Sequence, residues 1–330
     1  MRTSALTAKL ALAVSFLSGC GGSRHDPAEK YFLVASNVKL PYWQTANSGL
    51  VRAARQLGVQ AEMVGPDTYD APGEQQTFRN TLAKKPAGIL ISAADANLFR
   101  GDIDSALSQG IPVITMDSDV PGSKRPSFIG TNNYDAGSTG GKLLVQRLNG
   151  KGNVIVYTMP GQANLEERLH GYRDAIGSSP GIKITQVVDV RGDPRIAFDT
   201  TEALVKKDAG KVDAFVCLEA TSCKEVADVL SRNKISGKVV VAMDTDRETL
   251  DWIQKDVIAA TIAQKPFTMA FFGVKMLDDL HHYKPEHLDA GFVRDSFAPV
   301  PFFVDTGASL IEKSNIDEFQ RLSQDATSGK

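Results

Sequence analysis

Ile114-Thr115-Met116-Asp117-Ser118-Asp119 is echoed by Val241-Ala242-Met243-Asp244-Thr245-Asp246. In each, an apolar run ends abruptly on an aspartate, followed by a hydroxyl residue and a second acid. An apolar run without alternation suits a strand covered on both faces, as in parallel sheets flanked by helices. Two copies at long spacing point to two related βα halves, because a solenoid needs three or more units. The first half runs from about residue 30 to 131 and the second begins near 132.

Outward from these two stretches, short β-branched or apolar runs alternate with longer segments of helical period, the pattern of an α/β fold with parallel sheets. Candidate strands cover 31–36, 59–64, 88–92, 112–116, 127–130, 153–157, 182–188, 214–218, 238–243 and 258–262. Between them Leu50, Ala53, Ala54 and Leu57 recur at three and four, as do Gly137, Gly141, Leu144 and Leu148, and Val226, Val229 and Leu230. These are core-facing helix stripes. Gly58 and Gly110 follow two such helices, where a left-handed cap favours glycine.

Arg2 and Lys9, the apolar run 10–16 and Leu17-Ser18-Gly19-Cys20 have the layout of a secretory signal cleaved before a cysteine. The run is shorter than the ~20 residues a transmembrane helix requires. Residues 1–19 are therefore expected to be removed. Residues 20–30 carry no apolar side chain larger than alanine or proline, which suits a flexible tether. The remaining ~300 residues exceed what one core usually serves, so two lobes are expected. A net charge of -2 gives no electrostatic reason to expect nucleic acid as a partner. Cys217 and Cys223 sit in an exported chain and could pair. A strand-end and a helix-start cysteine often miss the required ~4.4–6.8 Å Cα separation, and unpaired thiols are the expectation.

In open parallel sheets ligands bind beyond the carboxyl ends of strands. Those positions hold Ser36 and Asn37, 92–95, 117–119, 131–133, 159–164, 189–193, Glu219, 244–246 and Gln264. Polar residues belong in loops in any case, but Asp117 and Asp244 terminate apolar strands, where a carboxylate is partly desolvated. Helix capping is the competing role for each. Tyr42 and Trp43 follow Pro41 at an expected helix start near the cleft, where rings either stack on a sugar or pack between helix and sheet. Arg168 lies on the opening turns of a helix. Its five donors suit adjacent hydroxyls, and a solvated ion pair is the alternative.

Four stretches then resemble the periplasmic sugar-binding proteins of the ribose-binding type: residues 34–43, 110–117, 168–172, and Asp244 with 258–264. Leu-Ser-Gly-Cys20 likewise resembles the bacterial lipobox, which implies a lipid on Cys20 and a tether at 20–30. The resemblance spans 31–310. It implies the periplasmic binding protein-like I fold: two similar doubly wound parallel-sheet lobes joined by a three-strand hinge, with crossings near 131–133, 263–265 and 299–301. The N-terminal lobe would comprise 31–131 plus 265–299, and the C-terminal lobe 132–263 plus 301–322. It further implies a cleft lined by Ser36, Tyr42, Trp43, Ser92, Asp117, Arg168, Glu219, Asp244 and Gln264, no cofactor, and delivery of a small sugar or polyol to an ABC transporter permease. The protein would be a monomer on the periplasmic side of the cell envelope. Presentation of a sugar or amino sugar to a signalling or chemosensory partner is the alternative.

Departures bear on the ligand. Leu40 stands where ribose binders place asparagine, Ser118 replaces an arginine, Gly192 and Met243 each replace an aromatic, and Glu219 replaces an asparagine. These argue against ribose itself. Asp117, Glu219 and Asp244 around Arg168 leave an acidic balance that favours donor-rich polyols or a cationic amino sugar, and a neutral sugar or polyol is the preferred class.

Residues 137–142 lack the glycine and the terminal Ser or Thr of a phosphate loop. His281, His282 and His287 are read as a solvated helix end rather than a metal site. No nucleophile elbow is present, so an enzyme is not expected. Regulators of this fold carry a helix-turn-helix before the first strand, where this chain has a signal and tether. A glycosidase would need two carboxyls at fixed spacing, which Asp117 and Asp244 could meet by accident.

Overall fold

The computed structural model describes residues 25–283, 298 and 300–328. Cys20, the signal segment, His287 and Pro299 lie outside the described residues. No helix among the described residues is long and apolar enough to cross a membrane.

All ten expected strands form. β1 (Lys30–Val34), β2 (Gln60–Val64), β3 (Gly88–Ile91), β4 (Val113–Met116) and β5 (Phe128–Gly130) build the first sheet. β6 (Lys151–Thr158), β7 (Gly181–Asp189), β8 (Ala214–Cys217), β9 (Val239–Met243) and β10 (Ala260–Ala263) build the second. The parallel orders β5-β4-β3-β1-β2 and β10-β9-β8-β6-β7 are the same topology twice. The repeat seen in the sequence is therefore a repeat of lobes.

Each sheet is covered on both faces. α1 (Pro41–Leu57) and α9 (Pro266–His282) bury Leu50, Ala53, Met269 and Val274 against Tyr31, Leu33 and Ile114. α2 (Ala71–Leu82) and α3 (Ala96–Ser108) bury Phe78, Phe99 and Ile103 against Val34, Ile89 and Ile91 on the other side. In the second lobe α4 (Asn133–Arg147) and α5 (Ala163–Gly177) cover Val154 and Val156. α6 (Pro194–Asp208), α7 (Ser222–Arg232) and α8 (Arg247–Gln254) cover Ile155, Tyr157 and Phe215. Each fully buried Leu, Ile or Phe contributes about 1.5–3 kcal/mol. Gly58 and Gly110 adopt φ of 77° and 75°, as their places after α1 and α3 require.

Two short strands complete the sheets. β11 (Phe303–Asp305) pairs in parallel with β5 at the edge of the first sheet, and β12 (Ser309–Ile311) pairs antiparallel with β10 in the second. The third crossing thus falls at 306–308 instead of 299–301. Hydrogen bonds from the Phe128 N–H to the Phe302 carbonyl and from the Thr306 N–H to the Gly130 carbonyl keep the chain in the first sheet past the expected boundary. α10 (Ile316–Ser328) follows β12.

Two further expectations are corrected. Cys217 and Cys223 are disulfide-bonded, their Cα atoms 5.7 Å apart, within the bridging range. The tight turn from β8 into α7 brings them together and staples the loop carrying Leu218 and Glu219. The stretch 25–29, expected to belong to a flexible tether, is held on the first lobe. His25 bonds Asp278 at 2.9 Å and Glu29 bonds His282 at 3.1 Å, so the end of α9 grips it.

Candidate functional site

Both strand orders reverse at the first strand of the lobe (β2-β1-β3 and β7-β6-β8), the point where ligands bind in open α/β sheets. A cavity of about 310 Å³ lies there between the lobes, lined by Ser36, Asn37, Leu40, Tyr42, Trp43, Tyr69 and Asp117 from the first. Met159, Gln162, Asn164, Arg168, Gly192, Glu219, Asp244 and Gln264 line it from the second lobe and the hinge. A neighbouring cavity of about 350 Å³ shares Leu40, Tyr42, Thr221, Lys224, Asp244 and Gln264 and adds Pro41, Phe267, Phe319 and Leu322 on the hinge flank. Only the first gathers buried charges of both signs, and it is the candidate site.

Asp117 and Asp244 leave β4 and β9 with φ of 64° and 68°. This left-handed conformation costs about 1–3 kcal/mol, is tolerated best by Asp, Asn and Gly, and clusters at functional sites. Asp95, Asp193 and Asp246 show the alternative: each sits in extended backbone and caps α3, α6 or α8 with its side chain. Capping is thereby excluded for Asp117 and Asp244. Glu219 goes the other way. Both its oxygens accept from the start of α7, from the Thr221 N–H at 2.6 Å and the Ser222 N–H at 3.0 Å.

Asp117 accepts from the Tyr42 hydroxyl at 2.7 Å and the Ser92 hydroxyl at 3.1 Å. Across the cleft, Asn164 Nδ2 lies 3.4 Å from it. Asp244 accepts from Gln264 Nε2 at 3.0 Å, and its Oδ2 makes no hydrogen bond among the described residues. Between the acids lies Arg168, 2% exposed on α5. It donates from Nε to Asn133 at 2.8 Å, from Nη1 to the Leu218 carbonyl at 2.7 Å and from Nη2 to Gln264 at 2.8 Å. Three of its five N–H groups are thus committed to the protein. Burial raises the carboxyl of Asp117 and pushes that of Asp244 up to about 7, with Arg168 pulling both back. Burial and the Asp117 charge hold the Tyr42 phenol well above its ordinary value, so it serves as a donor.

α5 can carry Arg168 this close because α4 meets it through glycine. A Cβ on Gly137 would stand 2.0 Å from the Arg168 carbonyl oxygen, and one on Gly171 would stand 2.1 Å from that of Tyr134. The stripe beginning at Gly137 is a backbone contact between two helices.

Residues 31–284 match the model of the periplasmic binding protein domain. The chain belongs to this family. Among its relatives is the D-allose-binding periplasmic protein of Escherichia coli, 23% identical over 263 residues, spanning 76% of this chain and 84% of the relative. Among solved structures, the arabinose-binding protein AraP of Geobacillus stearothermophilus superposes with a TM-score of 0.73 at 31% identity. It covers 89% of this chain and 99% of its own. An ABC transporter solute-binding protein of Burkholderia graminis, in complex with D-arabinose, gives 0.80 at 25% identity over 88% and 98% of the two chains.

In this periplasmic binding protein, eight of the nine residues expected in the cleft line the cavity: Ser36, Tyr42, Trp43, Asp117, Arg168, Glu219, Asp244 and Gln264. Ser92 does not, because it stands behind Asp117 as a donor. Trp43 is 3% exposed, so packing and cavity lining hold for it together. Its ring meets Tyr42 edge-on at 5.1 Å. Of the departures, Leu40 and Gly192 face the cavity, whereas Ser118 and Met243 are buried away from it.

Tyr69 escaped the sequence reading. It enters from the loop after β2, bonds the Ala94 carbonyl at 3.0 Å, and packs on Gly192, where any Cβ would come within 2.3 Å of its own. Inspecting the carboxyl end of β2 along with the others would have found it.

Proposed function

We propose that this protein captures a neutral sugar or polyol between its lobes and, on closure of the hinge, delivers it to an ABC-type importer. The observation that carries this reading is one interlobe cavity where two strained, uncapped aspartates from equivalent strand ends flank a buried arginine beside Trp43. Carboxylates accept from sugar hydroxyls, the two remaining guanidinium N–H groups donate to them, and aromatic rings cover a C–H face. The relatives named for D-allose and arabinose support the ligand class. Export through residues 1–19, a lipid on Cys20 and periplasmic anchoring complete the proposal. The ligand leaves unchanged.

Calorimetry of the full chain against aldoses, polyols and amino sugars tests it. Saturable one-to-one binding of a neutral sugar or polyol is expected, and the sugar should be recovered intact after prolonged incubation. Binding of a cationic amino sugar alone would overturn the ligand class.

The Asp244 carboxyl gives the site a pH dependence of definite sign. A hydroxyl donor favours the ionised acid, so affinity should rise about tenfold from pH 6 to pH 8, as the ionised fraction grows through a value of about 7. Stability of the unliganded protein runs oppositely. The folded value lies above the ordinary ~3.9, so the native state holds the extra proton between ~4 and 7, and this group's contribution declines as pH rises across that window. Asp244→Asn should therefore raise the Tm of the ligand-free protein at pH 8, by roughly 2–6 °C. It should also flatten the affinity profile. A melt and a titration at pH 6, 7 and 8 check both halves, and equal affinity at all three values would contradict the role.

A further inference from the structure

The pole of the first lobe remote from the cleft, where β1 begins and α9 ends, gathers side chains that sugar capture does not use. His25 Nε2 lies 2.9 Å from Asp278 Oδ2. His282 Nε2 lies 3.5 Å from Asp278 Oδ1 and 3.1 Å from Glu29 Oε2. The two imidazoles meet edge-on with centroids 4.9 Å apart. The ligand atoms of His25, Asp278 and His282 all fall within 4.8 Å of one another, as do those of Glu29, His281 and His282. The side chains of His25, Glu29, Asp278 and His282 are each at least three-quarters buried. Behind them Tyr31, itself in the core, donates to Asp278 Oδ1 at 3.0 Å.

We propose that His25, Asp278 and His282 form a binding site for a divalent transition-metal ion, with Zn²⁺ as the best fit and Glu29 beside His282 at its edge. Metal–ligand bonds of about 2.0–2.1 Å around a tetrahedral Zn²⁺ set neighbouring donors roughly 3.3 Å apart, and the His25–Asp278 and His282–Asp278 separations of 2.9 and 3.5 Å bracket that value and leave a fourth position open. The carboxylate of Asp278, with that of Glu29 beside His282, supplies negative charge for a divalent ion to balance. The nitrogen donors select against Mg²⁺ and Ca²⁺, which prefer all-oxygen shells. Tyr31 supplies the outer hydrogen bond that orients a ligating carboxylate. His25 precedes β1 whereas Asp278 and His282 lie in the last turns of α9, so the ion would clip the incoming chain onto the lobe.

The test is a Zn²⁺ titration of tag-free, chelator-stripped full chain against a chromophoric competitor, followed by thermal melts. One Zn²⁺ per chain should bind with sub-micromolar affinity, survive excess Mg²⁺ or Ca²⁺, and raise the Tm. His25→Ala and His282→Gln should each weaken binding at least tenfold and abolish the Zn²⁺-dependent rise in Tm. Their far-UV circular dichroism should match the parent, which shows that the lobe still folds. Absence of one-to-one binding in the parent would overturn the proposal. So would undiminished binding in the His25→Ala/His282→Gln double variant, which would place the ion on other side chains.

Discussion

Arg168→Ala is expected to lower sugar affinity about 10- to 100-fold, the equivalent of the ~1.5–3 kcal/mol assigned to hydrogen bonds from a charged group. Removing the guanidinium takes away the two N–H groups left for the ligand. It also leaves the Asn133 oxygen, the Leu218 carbonyl and one Gln264 oxygen without a donor they now hold. Arg168 is in addition the charge that draws the Asp117 and Asp244 carboxyls down against burial. The variant's acids should therefore titrate at still higher pH, and its residual affinity should strengthen with pH at values more alkaline than the parent's. Calorimetry across pH measures both effects. Undiminished affinity would remove Arg168 from the site.

Gly137→Ala is expected to destabilise the second lobe by about 3 kcal/mol or more and to cost most of the ligand affinity, although the residue itself touches no ligand. Elsewhere in a helix the same change stabilises, by about 0.8–1 kcal/mol of propensity. Here the new Cβ would lie 2.0 Å from the Arg168 carbonyl oxygen and 2.8 Å from its carbon. Backbone cannot rotate aside as a side chain does, so α4 and α5 must separate, and overpacked cores lose about 1–3 kcal/mol or more. Separation carries Arg168 away from Asn133 and Gln264. A denaturant melt and a sugar titration on this variant read the two losses together. A Tm equal to or above the parent's, with affinity intact, would show that the helices do not meet through Gly137.

Both predictions rest on features that were unequally legible in the amino-acid sequence. The ten central strands announce themselves because burial on both faces demands unbroken apolar runs, and Ile89, Leu90 and Ile91 leave no other reading. β11 and β12 carry no such mark. They are three residues long, Phe303 is 39% exposed, and their partners lie far away in the chain. Pairing at a sheet edge is a tertiary event, which is why the third crossing was misplaced.

Within the site, the repeated Met-Asp pair marked Asp117 and Asp244 as special. It could not reveal that both turn left-handed while Asp95, Asp193 and Asp246 become caps. Glu219, similar in sequence position, is engaged at α7 because the disulfide loop directs it to free N–H groups. The Tyr69 and Gly192 contact was hidden for another reason: each residue is unremarkable alone, and only the approach of the two lobes makes them partners. The cluster at the base of the first lobe was hidden in the same way, since His282 reads as a helix end until His25 and Glu29 are set beside it.

That a sugar is held between the lobes is tested most directly by the fluorescence of Trp43. The chain contains two tryptophans, and Trp252 packs under Lys255 on α8, away from the cleft. A Trp252→Phe protein therefore reports on the cavity alone. Titrating it with each sugar that binds by calorimetry should shift Trp43 emission saturably, with the same Kd. A sugar that binds with measurable heat yet leaves Trp43 emission unchanged, or a panel in which no sugar binds, would contradict capture in the cleft.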